Sequence, residues 1–177
     1  AADAKAIRDT KPEEQFIRAL TEVPGKYADT FLFHRGNVDS PKDKVLPAEL
    51  SVVSLPKNPI PVNDKALPTT GRRTAFAKRL TDGTHPLTAR VLMNRFWMHH
   101  FGHGLARNPG DFGRLGEAPT HPELLDWLAS DFMKNGWKLK RLHKLIVTSQ
   151  TWKQSSTRTQ TLEEADPDNH LLARMNV

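Results

Sequence analysis

Six prolines fall between residues 41 and 68: Pro41, Pro47, Pro56, Pro59, Pro61 and Pro68. Each fixes φ and removes a backbone donor, so neither a helix nor a central strand persists through that segment. We expect an extended arm that packs along a helical body, with one edge strand around residues 50–55. Val45, Leu46, Leu50, Val52, Val53, Leu55, Ile60 and Val62 argue against a disordered linker, which is poor in apolar residues.

The arm divides the chain. Ahead of it, residues 3–21 read as helical, with Pro12 ending or restarting the pattern. Pro24-Gly25 is a turn signal, and Thr30 to Gly36 reads as one short strand. After Gly71 the texture changes to helical periodicity. Phe76 and Leu80, four apart, mark the inner face of a short helix from Arg72. The next helix starts near Thr84-His85-Pro86 and stops at Gly102. Its inward face is expected to carry Leu87, Val91, Asn94, Met98 and Phe101. A mid-helix Asn94 has poor propensity and, if buried, needs loop backbone as its partner.

Residues 102–119 form a loop rich in glycine, where tight turns are expected. Thr120-His121-Pro122-Glu123 has the form of a threonine cap with its capping-box glutamate. The helix it opens carries Leu124, Leu125, Trp127, Leu128 and Phe132. Trp97 and Trp127 are both expected in the core. A further helix runs from Leu139 to Ser149, with Lys138, Lys140, Arg141 and Lys144 outward. Residues 153–166 read as loose, and the chain stops within what reads as a helical pattern. The fold class is therefore mainly α. A small helical domain, residues 72–177, carries an N-terminal helix, short strand and proline-rich arm, residues 1–71.

Composition narrows the function classes. Cysteine is absent, which excludes a disulfide scaffold, thiolate-held zinc or iron–sulfur, and covalent haem c within this chain. No apolar run approaches the roughly 18 residues of a membrane span, and no charged-then-apolar leader is visible. The hydrophobic share of 37% lies below the usual range of about 45–50%, so the core is not generous. The net charge of +6 is uneven. Residues 72–160 hold 15 Lys/Arg against 6 Asp/Glu, beside a neutral arm and an acidic tail. Such a block suits either a solvated surface or an anionic partner. Nucleic acid is not expected, because no recognition motif accompanies the basic run KLKRLHK. Nucleophile-elbow, phosphate-loop and dinucleotide fingerprints are also missing.

Several side chains are candidates for chemistry. Asp111 and Glu117, with His121 nearby, form a candidate acid/base set. The bland alternatives are a side chain tying loop N–H groups for Asp111 and a helix-start residue for His121. Arg90, Arg95, His100, Lys140, Arg141 and Lys144 are candidates for holding an anionic ligand. Arg90 and Arg95 equally suit structural pairing with Asp111 or Asp126. His99 and His103 have a spacing that suits two imidazole ligands on a continuing helix. Gly102 intervenes and a third ligand is missing locally, with Asp111, Glu117 or His121 able to supply one only if the loop folds back, so no metal is assigned.

The strings HPLTARVLMNRFWMHHFGHGLARNPGDFG, GEAPTHPELLDWLASDFMKNGWKLKRLHKLIVTSQTWKQSS and DPDNHLLARMN resemble a bacterial family of unknown function. It is the C-terminal domain of planctomycete-type cytochrome c-like proteins, met also in verrucomicrobial bacteria. The likeness covers roughly residues 27–176. It places Asn94, Arg95, Trp97, Phe101, Gly102, Asp111, Phe112, Gly113, Pro119, Thr120, His121, Pro122, Glu123 and Trp127 at motif positions, whereas His103 departs from the pattern. The resemblance implies a large, exported, modular parent whose haem c lies in another domain, with no cofactor in this segment. It implies an exported, periplasmic or cell-surface location. It also implies an arginine-rich helical continuation, so that this chain is C-terminally truncated. It supplies no activity or catalytic residue.

The expected function is a non-enzymatic binding or scaffold module, with other parent domains or an anionic ligand such as acidic polysaccharide as partner. The alternative is a hydrolase or redox-associated enzyme acting on polysaccharide-derived substrate, with Arg95, His100, Asp111, Glu117 and His121 converging.

Overall fold

The computed structural model describes residues 5, 10, 16–53 and 59–176. The N-terminal helix expected over residues 3–21 falls largely outside them, and residues 16–20 are not helical. Among the described residues helix outweighs strand, with five α-helices, a short 3-10 turn at His34–Gly36 and one antiparallel strand pair. It divides into two compact units: residues 1–47 with 61–72, and residues 48–60 with 73–177.

The first unit holds the strand pair, β1 (Thr30–Phe33) and β2 (Pro41–Val45), with Thr30 opposite Val45 and Phe31 opposite Lys44. The strand read as running to Gly36 ends at Phe33. Arg35 and Gly36 take positive φ, which breaks the extended chain and starts the turn closed by His34 N–H on Ser40 O. The edge strand expected around residues 50–55 is not formed over the described residues 50–53, and residues 54–55 lie outside the described ones. Residues 51–53 form a turn, and β2 begins at Pro41, where a missing donor on an edge strand removes no ladder bond. Glu22 ties the unit together, accepting from both the amide and the hydroxyl of Thr70.

The second unit contains the helical core. Its elements are α1 (Arg72–Thr81, whose first residue belongs to the other unit), α2 (Thr88–Phe101), α3 (Pro122–Lys134), α4 (Leu139–Val147) and α5 (Gln160–Ala165). α2 and α3 pack against each other. Ala89, Met93, Trp97 and Phe101 of α2 recur every four residues and face Leu125, Leu128, Ala129 and Phe132 of α3. Leu142 and Ile146 of α4 close the cluster, and the ring of Trp97 stacks on Phe101 at 4.1 Å.

Several expected faces are corrected. The buried stripe of α2 shares Asn94 and Phe101 with the expected one but is turned by about a quarter of the helix circumference, bringing Ala89 and Met93 inward beside Trp97, which is in the core as expected. On α3 the i, i+3, i+4, i+7 spacing of the buried residues leaves Trp127 on the opposite side, 53% exposed. On α1, Phe76 is exposed, while Arg79 is buried against Glu49, 3.1 Å away. His85 Nδ1 accepts from the amides of Leu87 and Thr88 at the start of α2, three residues before the first helical residue. Thr120 is not a cap. Its amide and hydroxyl both donate to Leu105 O, and no side chain caps α3.

The tail is not a continuing helix. α5 occupies part of the segment read as loose. Beyond it Asp166 accepts from the amides of His170 and Leu171, which holds its carboxyl below the usual range. Buried Arg174 donates to the carbonyls of Asp166 and Pro167. Asn176 then reaches back 2.7 Å to Phe101 O, satisfying a carbonyl that the end of α2 leaves open.

Candidate functional site

The loop between α2 and α3 is held first by Asn94. This residue is fully buried, and its side-chain amide pairs with both backbone groups of Ala106. Nδ2 donates to Ala106 O and Oδ1 accepts from Ala106 N–H, each at 2.9 Å. One side chain thereby replaces the ladder bonds that a strand neighbour would supply. Gly104 makes the approach possible. A Cβ there would stand 2.5 Å from Ala106 O and 2.6 Å from Asn94 Nδ2. The expected burial of Asn94 against loop backbone is thus what the structure has.

The outer half of the loop is built differently. Asn108 Oδ1 accepts from Gly110 N–H, and Asp111 Oδ1 from Gly113 N–H, both local turns. Gly116 packs with its Cα against the backbone carbonyl of Asp111, a space that no Cβ fits. These turns curve over a cleft of about 440 Å³. Its apolar walls include Pro86, Leu87, Phe112, Pro119, Pro122 and Leu125. Asp111, Glu117, Asp126 and Arg90 supply its charges. Arg90 is engaged by its own chain, donating to Asp126 Oδ1 at 2.6 Å and to Pro86 O at 2.5 Å. The Arg90 hydrogen bond holds the Asp126 carboxyl below its usual range. Glu117 is exposed and has no side-chain partner among the described residues.

Of the residues proposed to converge, Asp111 and Glu117 share this cleft, as does Arg90. Arg95, His100 and His121 do not line it. Arg95 is exposed, and His121 Nδ1 lies 3.0 Å from the Thr120 hydroxyl. His100 belongs to a separate aromatic cluster. Its Nε2 is 2.8 Å from Nδ1 of His143, and its ring meets Trp152 edge-on at 5.3 Å. Burial, and next the neighbouring imidazoles of His143 and His99, hold His100 below the usual histidine range.

His99 and His103 do not share a helix face, because α2 ends at Phe101 and Gly102 turns the chain at φ 82°. His103 lines a recess of about 20 Å³ beside Arg107 and His170, room for about one water. Among the described residues no group of three or more His, Asp or Glu is arranged to hold a metal. No helix there is long and apolar enough to cross a membrane.

On α4, Lys140 and Lys144 are exposed, as is Lys138 just before it, and none has an ion-pair partner among the described residues. Arg141 donates to Asp131 of α3 through both terminal guanidinium nitrogens.

Sequence reasoning missed two participants. His143 gives no local signal, since only the packing of α2 on α4 brings it to His100. Glu49 escapes for the same reason. Glu49 reaches Arg79 across 30 residues, and its second oxygen lies 3.5 Å from His85 Nε2.

A family model described as PSD1, protein of unknown function (DUF1553), matches residues 72–177, and the chain belongs to that family. No curated protein and no solved structure matches the chain.

Proposed function

We propose that this DUF1553 member is a non-enzymatic binding or scaffold domain of an exported multidomain parent whose haem c lies elsewhere. Its partners are other parent domains or an anionic ligand such as acidic polysaccharide. The observation that carries the reading is the one-sided face of α4. Leu142 and Ile146 are buried, while Lys138, Lys140 and Lys144 stand in solvent without counter-charges among the described residues. Unneutralised cations clustered along one short helix attract a polyanion more strongly than scattered ones.

The disposition of the motif residues supports the same reading. Asn94, Trp97, Phe101 and Thr120 are committed to packing and loop pinning. The enzymatic alternative draws support from Asp111 and Glu117 sharing a cleft, without a histidine beside them.

The test is titration of the 177-residue chain with heparin and polygalacturonate at low and at physiological ionic strength. Binding is expected to weaken as salt rises. Lys140→Glu with Lys144→Glu should weaken it further while leaving the fold intact. Binding that ignores both salt and these charges, or no binding at either salt, removes the polysaccharide from the reading.

A further inference from the structure

The cleft under the outer loop carries the opposite sign to the block that contains it. Residues 72–160 hold 15 basic and 6 acidic side chains. Three of those six acids, Asp111, Glu117 and Asp126, line this one cleft with a single cation, Arg90. Arg90 is balanced by Asp126. Asp111 has one oxygen on Gly113 N–H, and Glu117 has no partner among the described residues. Two carboxylates are therefore uncompensated within a volume of about 440 Å³, inside the range of about 300–1,000 Å³ typical of ligand sites.

The walls narrow the ligand further. Phe112, Pro119 and Pro122 offer apolar faces beneath the carboxylates. A fitting group has an apolar stem and a cationic head. The cleft already holds one such group, since the Arg90 guanidinium bridges a carboxylate and the Pro86 carbonyl. A guanidinium is planar, weakly hydrated and stacks on flat faces, whereas an ammonium is a strongly hydrated point charge. At the tip of the same loop Leu115 is 96% exposed, an apolar lip for an approaching chain.

We propose that this cleft docks an arginine side chain presented by a partner protein segment. Its guanidinium is held by Glu117 and the free oxygen of Asp111, and its stem lies on Phe112 and Pro119. The site is separate from the basic face of α4 and repels the polyanions proposed there, so either assignment can fail alone.

The experiment uses amide NMR of the whole chain at low ionic strength. The probes are N-acetyl-arginine amide, its uncharged citrulline analogue and N-acetyl-lysine amide. Saturable shifts at Phe112, Gly113 and Gly116 are expected with the arginine probe, weaker ones with lysine and none with citrulline. Glu117→Gln should lower the arginine probe's affinity at least about threefold, the scale of one exposed ion pair, without moving the thermal midpoint. Equal shifts from citrulline, equal affinity for lysine, shifts centred elsewhere, or none at millimolar probe would each overturn the proposal.

Discussion

The two halves of the loop between α2 and α3 are made of similar residues and held in different ways. The inner half, Gly104 to Ala106, is buried and pinned from outside itself by Asn94 and Thr120. In the outer half, residues 110–117, hydrogen bonds run between loop residues two or three apart, and Arg114, Leu115 and Glu117 face solvent. The difference separates folding from recognition. Side chains buried against backbone are out of a ligand's reach, while local turns at the surface leave theirs open.

The largest effect expected from breaking this contrast is at Asn94. Asn94→Ala strips two buried backbone groups of their partners, and chemical denaturation should show a loss of about 2–5 kcal/mol. A loss below about 1 kcal/mol would mean that water or another group already serves Ala106. Gly104→Ala comes next, because the added methyl meets a carbonyl and the Asn94 amide that cannot both withdraw. It should cost about 1–3 kcal/mol.

A pH series sharpens the contrast on the inner side. His100 sits near the end of α2, with its folded pKa held below the unfolded value. Between those two values the unfolded chain binds more protons. Stability from this group is therefore present at neutral pH and lost as pH falls below about 6.5. His100→Phe should flatten that acid loss in a plot of thermal midpoint against pH; an unchanged slope would mean another group causes it. The smallest effect belongs to the outer half and its surroundings. Trp127→Ala, on the exposed face of α3, should shift stability by no more than about 0.5 kcal/mol.

Much of this scaffold was legible in the sequence. Gly102 ends α2, Pro122 opens α3, and Asn94 is buried against the loop as its poor helix propensity suggested. What was not legible depends on long-range pairing. Periodicity defines a stripe but not which of two overlapping stripes on α2 meets α3, so Ala89 and Met93 lie outside the expected inward set, although Trp97 is in the core as expected. Arg79 is buried only because Glu49 returns from the arm to meet it. Thr120 has the form of a cap, but Leu105 O takes its hydroxyl first. The cleft itself arises from turns that bring Asp111 and Glu117 onto Arg90 and Asp126, residues on different elements.

Amide hydrogen exchange along residues 102–120 tests the division most directly. Ala106 N–H, bonded to buried Asn94, and Thr120 N–H, bonded to Leu105 O, should exchange only through global opening. Gly110 and Gly113 N–H, held by exposed local turns, should exchange far faster. Protection at Gly110 and Gly113 equal to that at Ala106 would contradict the account, because the outer half would then be as fixed as the core and not a surface left open for a partner.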